Sequence, residues 1–410
     1  MKKIVIIGAV WPEPNSTAAG QRMMQLIAVF KQLNYKLTFT SIAATSEYTI
    51  NLDELGIETN AIQLNDSSFD EFIKVQNPTI VLFDRFMTEE QFGWRVSENC
   101  PNALRILDSE DLHFLREARS QCFKLNIKCE TKHLQNDIAL REIASIYRCD
   151  LTLIISKFEH DLLVNTFNIS SELVHYIPMM YDELNEIVLE DYPKFEEREH
   201  FFSIGNFHHK PNWETVLQLK NSIWPKIRKQ LPQAELHIYG AYIPEKAKQL
   251  HNSKEGFIIK GRAENSAAVF KKYRTLLAPI PFGAGIKGKL LESMLYGTPN
   301  ITSEIGAEAM QYNKDWNGFI EDNPDDFAEK AVELYSNENI WKQAQLNGIS
   351  IINDCFNKNN FENEFMDTVH FLLSNIESHR TNNFMGQLLN HHTLKSTMYM
   401  SKWIEEKNKK

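Results

Sequence analysis

A chain of 410 residues exceeds what one hydrophobic core usually organises, so two domains are expected. Its 43% hydrophobic and 24% charged residues suit a globular enzyme, while a formal charge of −10 excludes a general nucleic-acid binder, which needs clustered cations. The longest apolar run near the start, Ile4–Val10, is too short for a signal core or a membrane span, which predicts a cytoplasmic protein, at most peripheral at the inner face of the membrane.

In chain order, 2–10 reads as a buried strand and 20–35 as a helix with apolar residues at helical spacing. Further strands are expected at 36–43, 79–85, 103–108 and 151–156, the second of them introduced by the turn signal Asn77-Pro78. Strands alternating with helices predict a parallel sheet covered on both faces. Between Pro178 and His200 the chain turns acidic and loses its period, with prolines near both ends, which reads as a linker. The pattern then restarts, with strands at 201–207, 234–240, 256–261 and 274–280 and a helix at 212–230. The expected organisation is a first parallel-sheet domain over 1–180, a linker over 181–200, a second over 201–370, and helices over 371–410 that cross back to the first domain. Ligands of such sheets bind beyond the carboxyl ends of the strands, so two domains facing each other should enclose a cleft. The tail is expected to pack as a helix across a domain surface, because Glu405 and Glu406 dilute the basic face that a membrane-surface helix would need.

Cysteines 100, 122, 129, 149 and 355 contain no C-x-x-C pair, and their odd number suits a reducing compartment. The neighbouring pairs His208-His209 and His391-His392 cannot share a helix face, so no metal site and no bound cofactor are expected.

The most informative stretch is Pro279–Pro299, "PIPFGAGIKGKLLESMLYGTP". A strand ends, glycines 283, 285 and 288 make a bare turn, and a helix follows that Gly297 can cap. Free amides at a helix amino terminus form an anion site, and Lys287 and Lys289 add full charge where a phosphate would lie. Glu292 sits one turn further in, placed to accept hydrogen bonds from a ribose diol. In the first half, Gly20 opens a helix and Arg22 lies in its first turn, where a cation opposes the helix dipole and hints at a ligand. Asp108, Glu110, Asp111 and His113 follow another strand. They are read either as acid–base groups or as a helix cap, with Ser109 or Asp111 at the cap and Arg116 and Arg119 paired to the acids. Ser156 and Glu159 are expected to be a helix cap and its capping-box partner.

The segment from Phe201 to Met310, with "FFSIGNF", "AELHIYG", "GFIIKGRAEN" and the glycine-rich stretch, resembles the donor-binding domain of GT-B glycosyltransferases. It is similar in particular to glycosyltransferase family 4, in the subset with a Gly-x-Gly-x-(Arg/Lys)-x-Lys-x-x-Glu loop. The resemblance implies a GT-B fold of two Rossmann-like domains. It also implies retaining transfer of a sugar from a UDP or GDP sugar to a hydroxyl of a carbohydrate, lipid-linked or protein acceptor, in envelope or exported-polysaccharide synthesis. No metal is implied, because helix termini and lysines neutralise the diphosphate. By resemblance, Lys287, Lys289, Gly283 and Gly285 meet the diphosphate and donor sugar, Glu292 holds the ribose, and Arg262 runs along the nucleobase. Gly20, and with it Arg22, approaches the donor phosphate from the opposite domain, and His113 touches the donor sugar.

Two positions depart from the family: Ala284 replaces the glutamate that touches the donor sugar, and Asn206 replaces an arginine, leaving Lys210 as the nearest cation. A sugar-nucleotide epimerase and a non-catalytic sugar-nucleotide sensor therefore stay open. A nicotinamide enzyme does not fit, since "GAVWPEP" lacks the G-x-G-x-x-G turn.

Overall fold

The computed structural model describes residues 2–408, without the side chains of residues 393 and 394. Among the described residues, thirteen strands form two parallel sheets. The first holds β1 (Lys3–Gly8), β2 (Lys36–Ser41), β3 (Glu58–Ala61), β4 (Ile80–Asp84), β5 (Leu104–Asp108), β6 (Leu151–Ile154) and β7 (Val174–Tyr176), in the order β3-β2-β1-β4-β5-β6-β7. The second holds β8 (Glu199–Ile204), β9 (Leu236–Tyr239), β10 (Phe257–Gly261), β11 (Tyr273–Ala278), β12 (Asn300–Thr302) and β13 (Gly318–Ile320), in the order β10-β9-β8-β11-β12-β13.

Strands such as Ile80–Asp84 are buried at every position because helices cover both faces, so they read as continuous apolar runs. Each sheet sits between two apolar layers: Val5, Ile7 and Phe83 face one side of the first sheet, and Ile4, Ile6 and Leu82 face the other. The sequence pattern missed β3, β7, β12 and β13. The first is a polar edge strand, "ETNA", and the others are only three residues long. None has enough length to show a period.

Both sheets reverse their strand order at the same place, between β1 and β4 in the first and between β8 and β11 in the second. Such reversal points open a crevice at the strand ends, and here the two crevices face each other.

The expected linker is not wholly irregular. It contains a short helix, Glu186–Glu190, and β8 begins inside it at Glu199. The return crossing also starts earlier than residue 371: Phe365, Val369 and Leu372, on the helix Glu362–Ser374, lie in the first domain's core beside Phe30. Outgoing and returning chains run side by side, with Tyr181 N donating to Phe356 O at 2.8 Å and Lys358 N to Tyr181 O at 2.9 Å. The final helix, Phe384–Asn408, packs on the first domain, where Arg95 Nη2 donates to Ser401 Oγ at 3.1 Å. Trp403 remains 60% exposed. Among the described residues, no helix is long and apolar enough to cross a membrane.

Candidate active site

A cleft of about 610 Å³ lies between the domains, lined by the loops after β1, β4 and β5 on one side and after β8, β9, β10 and β11 on the other. That size falls within the usual range for small-molecule sites. Two helix amino termini converge on it. One belongs to the helix Ala18–Gln32, the other to Gly288–Leu295 at the end of the glycine-rich loop. They are so close that a Cβ on Gly288 would stand 2.7 Å from Cβ of Ala18. Two partial positive charges thus point into one crevice, an arrangement suited to a diphosphate.

Lys289 lines this crevice with its Nζ 2.7 Å from Asn212 Oδ1, and burial pushes the amine down to about 8. Lys287 is more enclosed and turns back, donating to Gly285 O at 2.7 Å. Burial lowers its amine too, against the pull of Glu308 and Glu159. Keeping two ammonium groups this poorly hydrated costs stability unless an anion arrives. Glu292 accepts from Gln21 Nε2 and from Ser266 Oγ, each at 3.2 Å, and burial raises its carboxyl. Gln21 comes from the first domain, so the Glu292 carboxylate spans the gap.

Two of the three glycines assigned to the site are engaged elsewhere. Gly20 N is taken by Thr17 Oγ1 at 2.9 Å, because Thr17 caps the helix. Gly20 is small for another reason: a Cβ there would stand 2.5 Å from the Glu13 backbone. Gly285 N donates to Glu159 Oε1 at 2.7 Å. Its φ of 63° and a distance of 2.8 Å from an added Cβ to Asp111 Cβ explain the glycine. Gly283 lines the cleft and its carbonyl accepts from Arg119 Nη1 at 2.8 Å.

Two further assignments are corrected. Arg22 does not reach the cleft: it is 1% exposed, donates to Asp108 Oδ1 at 3.0 Å and to Ile177 O at 2.8 Å, and offsets a buried carboxylate. Lys210 stands in a side pocket with Trp213 and Phe282, outside the main cleft. The cationic role expected near Asn206 is left to Lys289, held by Asn212, whose Nδ2 donates to Asn206 O at 2.8 Å.

His113 and Arg262 both line the cleft. The His113 ring lies 3.1 Å from Asp111 O through Nδ1 and edge-on to Phe86. The Arg262 guanidinium sits 3.9 Å over the Tyr48 ring, from the first domain. The helix His113–Leu125 has no side-chain cap at Leu112. Its first amides go instead to carboxylates from afar: Glu142 takes His113 N at 3.2 Å and Phe114 N at 3.0 Å, and Glu159 takes Leu112 N at 3.2 Å. Glu159 is therefore a bridge between the domains, not a capping-box partner, and Ser156 makes no cap bond. Arg116 pairs with Asp111, whereas Arg119 crosses the gap to Glu308 at 2.6 Å.

Outside the cleft, Cys122, Cys129 and His133 bring their potential ligand atoms within 4.8 Å of one another. Their spacing in the chain matches no recognised zinc pattern, so the sequence gives no signal for this group. His133 Nδ1 already accepts the Glu130 amide at 2.9 Å.

The two facing parallel sheets with a cleft at their reversal points define the GT-B fold, and solved structures agree. A glycosyltransferase from Rickettsia africae superposes with a TM-score of 0.63 at 14% identity, over 91% of this chain and 99% of its own. Sucrose-phosphate synthase from Thermosynechococcus elongatus gives 0.66 at 13%, over 91% and 100%. Anabaena HepE, solved in complex with UDP and glucose, gives 0.66 at 12%, over 90% and 100%. Residues 198–337 match the family described as glycosyl transferases group 1. No curated protein sequence matches the chain. On this fold, the group 1 domain makes the protein a glycosyltransferase.

Proposed function

We propose that the protein transfers a sugar from a nucleoside-diphosphate sugar to a carbohydrate hydroxyl with retention, in the synthesis of an envelope or exported polysaccharide. UDP is the first nucleotide to test, because the similar HepE was solved with UDP and glucose. The observation that carries the reading is the convergence of two helix amino termini and two poorly hydrated lysines, Lys287 and Lys289, on one crevice. In this reading the second domain holds the nucleotide, with Glu292 on the ribose and Arg262 beside the base. Lys289 and the amides of both helix ends stabilise the charge that develops on the leaving diphosphate. Lys287 shapes the glycine loop through Gly285 O and raises the local potential. His113 stands on the first-domain wall, where the donor sugar would face it. The departing phosphate itself would draw the proton from the acceptor hydroxyl.

A thermal-shift series with UDP, GDP and ADP tests the site, followed by detection of free nucleoside diphosphate from the matching sugar nucleotides. A wild-type protein that none of the three stabilises sinks the proposal. An altered donor sugar without transfer would instead indicate an epimerase, and binding without turnover a sensor.

A further inference from the structure

Two charged residues on the first-domain wall occupy backbone conformations that L-residues avoid. Arg85 has φ 70° and ψ 154°, a region populated almost only by glycine. Glu110 has φ 62°, in the left-handed region. They follow β4 and β5, neighbouring strands whose last residues, Asp84 and Asp108, lie side by side. Both line the cleft. Arg85 is also the residue before the helix Phe86–Asn99, where serine, aspartate or glycine would normally sit, and it makes no side-chain cap.

The surroundings hold this strain in place. Arg85 N donates to Asp108 O at 2.8 Å, and Thr88 Oγ1 donates to the carbonyls of Asp84 and Arg85, each at 3.0 Å. Asp84 Oδ2 accepts from Ala9 N at 3.0 Å, which ties in the end of β1. Arg85 therefore sits beside the reversal point of the first sheet, between β1 and β4, and Glu110 follows the next strand along. Backbone strain maintained by several independent bonds at a ligand crevice is a sign of function, since fold alone would be served better by glycine.

We propose that Arg85 and Glu110 form the acceptor subsite and bind a neutral sugar ring through its hydroxyls, opposite the glycine-rich loop. The position fits, because Asp111, next to Glu110, is the residue that approaches Gly285. The charges exclude an anionic ring. Among the described residues of this wall, Arg116 is paired with Asp111 and Arg85 lies 3.6 Å from Asp84, so neither brings surplus positive charge to it. Burial and the carboxylates of Asp108 and Asp84 push Glu110 up to about 8, so near neutral pH it can donate as well as accept. A guanidinium fork beside a carboxyl group matches vicinal hydroxyls, each of which both gives and takes a hydrogen bond.

The inference rests on the transferase reading, and its test separates the two. Methyl glycosides of glucose, galactose, mannose and N-acetylglucosamine are added to the UDP-saturated protein and followed by saturation-transfer NMR. At least one should bind wild type. Glu110→Leu and Arg85→Gly should each weaken that binding by about tenfold or more while keeping the UDP thermal shift. Arg85→Gly should also melt about 2 °C higher, because glycine removes the strain. Binding that survives both substitutions, or no glycoside bound by the wild-type UDP complex, overturns the subsite. A wild type without a UDP shift refutes the transferase reading instead.

Discussion

Replacing Lys289 with methionine should make the unliganded protein more stable and useless to a diphosphate. The lysine is pushed from its ordinary value of 10.5 down to about 8, chiefly by burial and in spite of Glu292. A depressed lysine opposes folding wherever it is charged, so the penalty is full below pH 8 and fades between 8 and 10.5. At 1.36 kcal/mol per unit the shift corresponds to about 3 kcal/mol, and partial access to solvent brings this to about 2 kcal/mol. The substitution also removes the 2.7 Å bond to Asn212, a loss of about 1 kcal/mol. The net gain at pH 7 is then about 1 kcal/mol, or roughly 1 °C in melting temperature. Against this, a charge-assisted contact to phosphate contributes about 2–3 kcal/mol, so UDP should bind on the order of 100-fold more weakly. Differential scanning fluorimetry at pH 7, with and without UDP, reads both effects at once. A Lys289→Met protein that melts lower than wild type and still responds to UDP would show that Lys289 is a structural residue.

Two other outcomes follow from the same geometry. UDP binding should take up protons near pH 8–9 and weaken about tenfold for each pH unit above 8, because the free lysine is largely neutral there and must be recharged; calorimetry in two buffers of different ionisation enthalpy measures the uptake. Gly288→Ala should place its Cβ against Ala18 Cβ and hold the domains apart, lowering turnover by about tenfold or more with a smaller change in UDP affinity. Ala18→Gly in the same protein should restore turnover, which a damaged loop would not allow.

The glycine-rich loop and its place in the cleft were legible because glycines between a strand and an apolar helical pattern mark a strand-to-helix turn, and ligands of parallel sheets lie at such turns. Which amides are free was not legible. Gly285 N is claimed by Glu159, far away in sequence, and only the folded chain brings the two together. Arg22 was misread for the same reason. A cation in a first helical turn looks unsatisfied until Asp108, on another strand, is seen to neutralise it. Asn212 escaped notice because asparagine carries no charge, although it positions Lys289. Parallel strands with apolar faces announced themselves, whereas a polar edge strand such as β3 depends on its neighbour for definition.

Ala284 can be understood in these terms. It packs against the first domain's apolar core, so a glutamate side chain there would have to enter an apolar interface. A carboxyl group meets the loop all the same, one residue on, where Glu159 accepts from Gly285 N. Its pKa is raised by burial and by Asp111, and its Oε2 has no hydrogen-bond partner among the described residues. Arg119 holds the same loop by its Gly283 carbonyl while gripping Glu308. The glycine-rich loop therefore takes its shape from side chains of the opposite domain. Opening the cleft would strip Gly285 and Gly283 of those partners, so the loop keeps this shape only while the domains are closed.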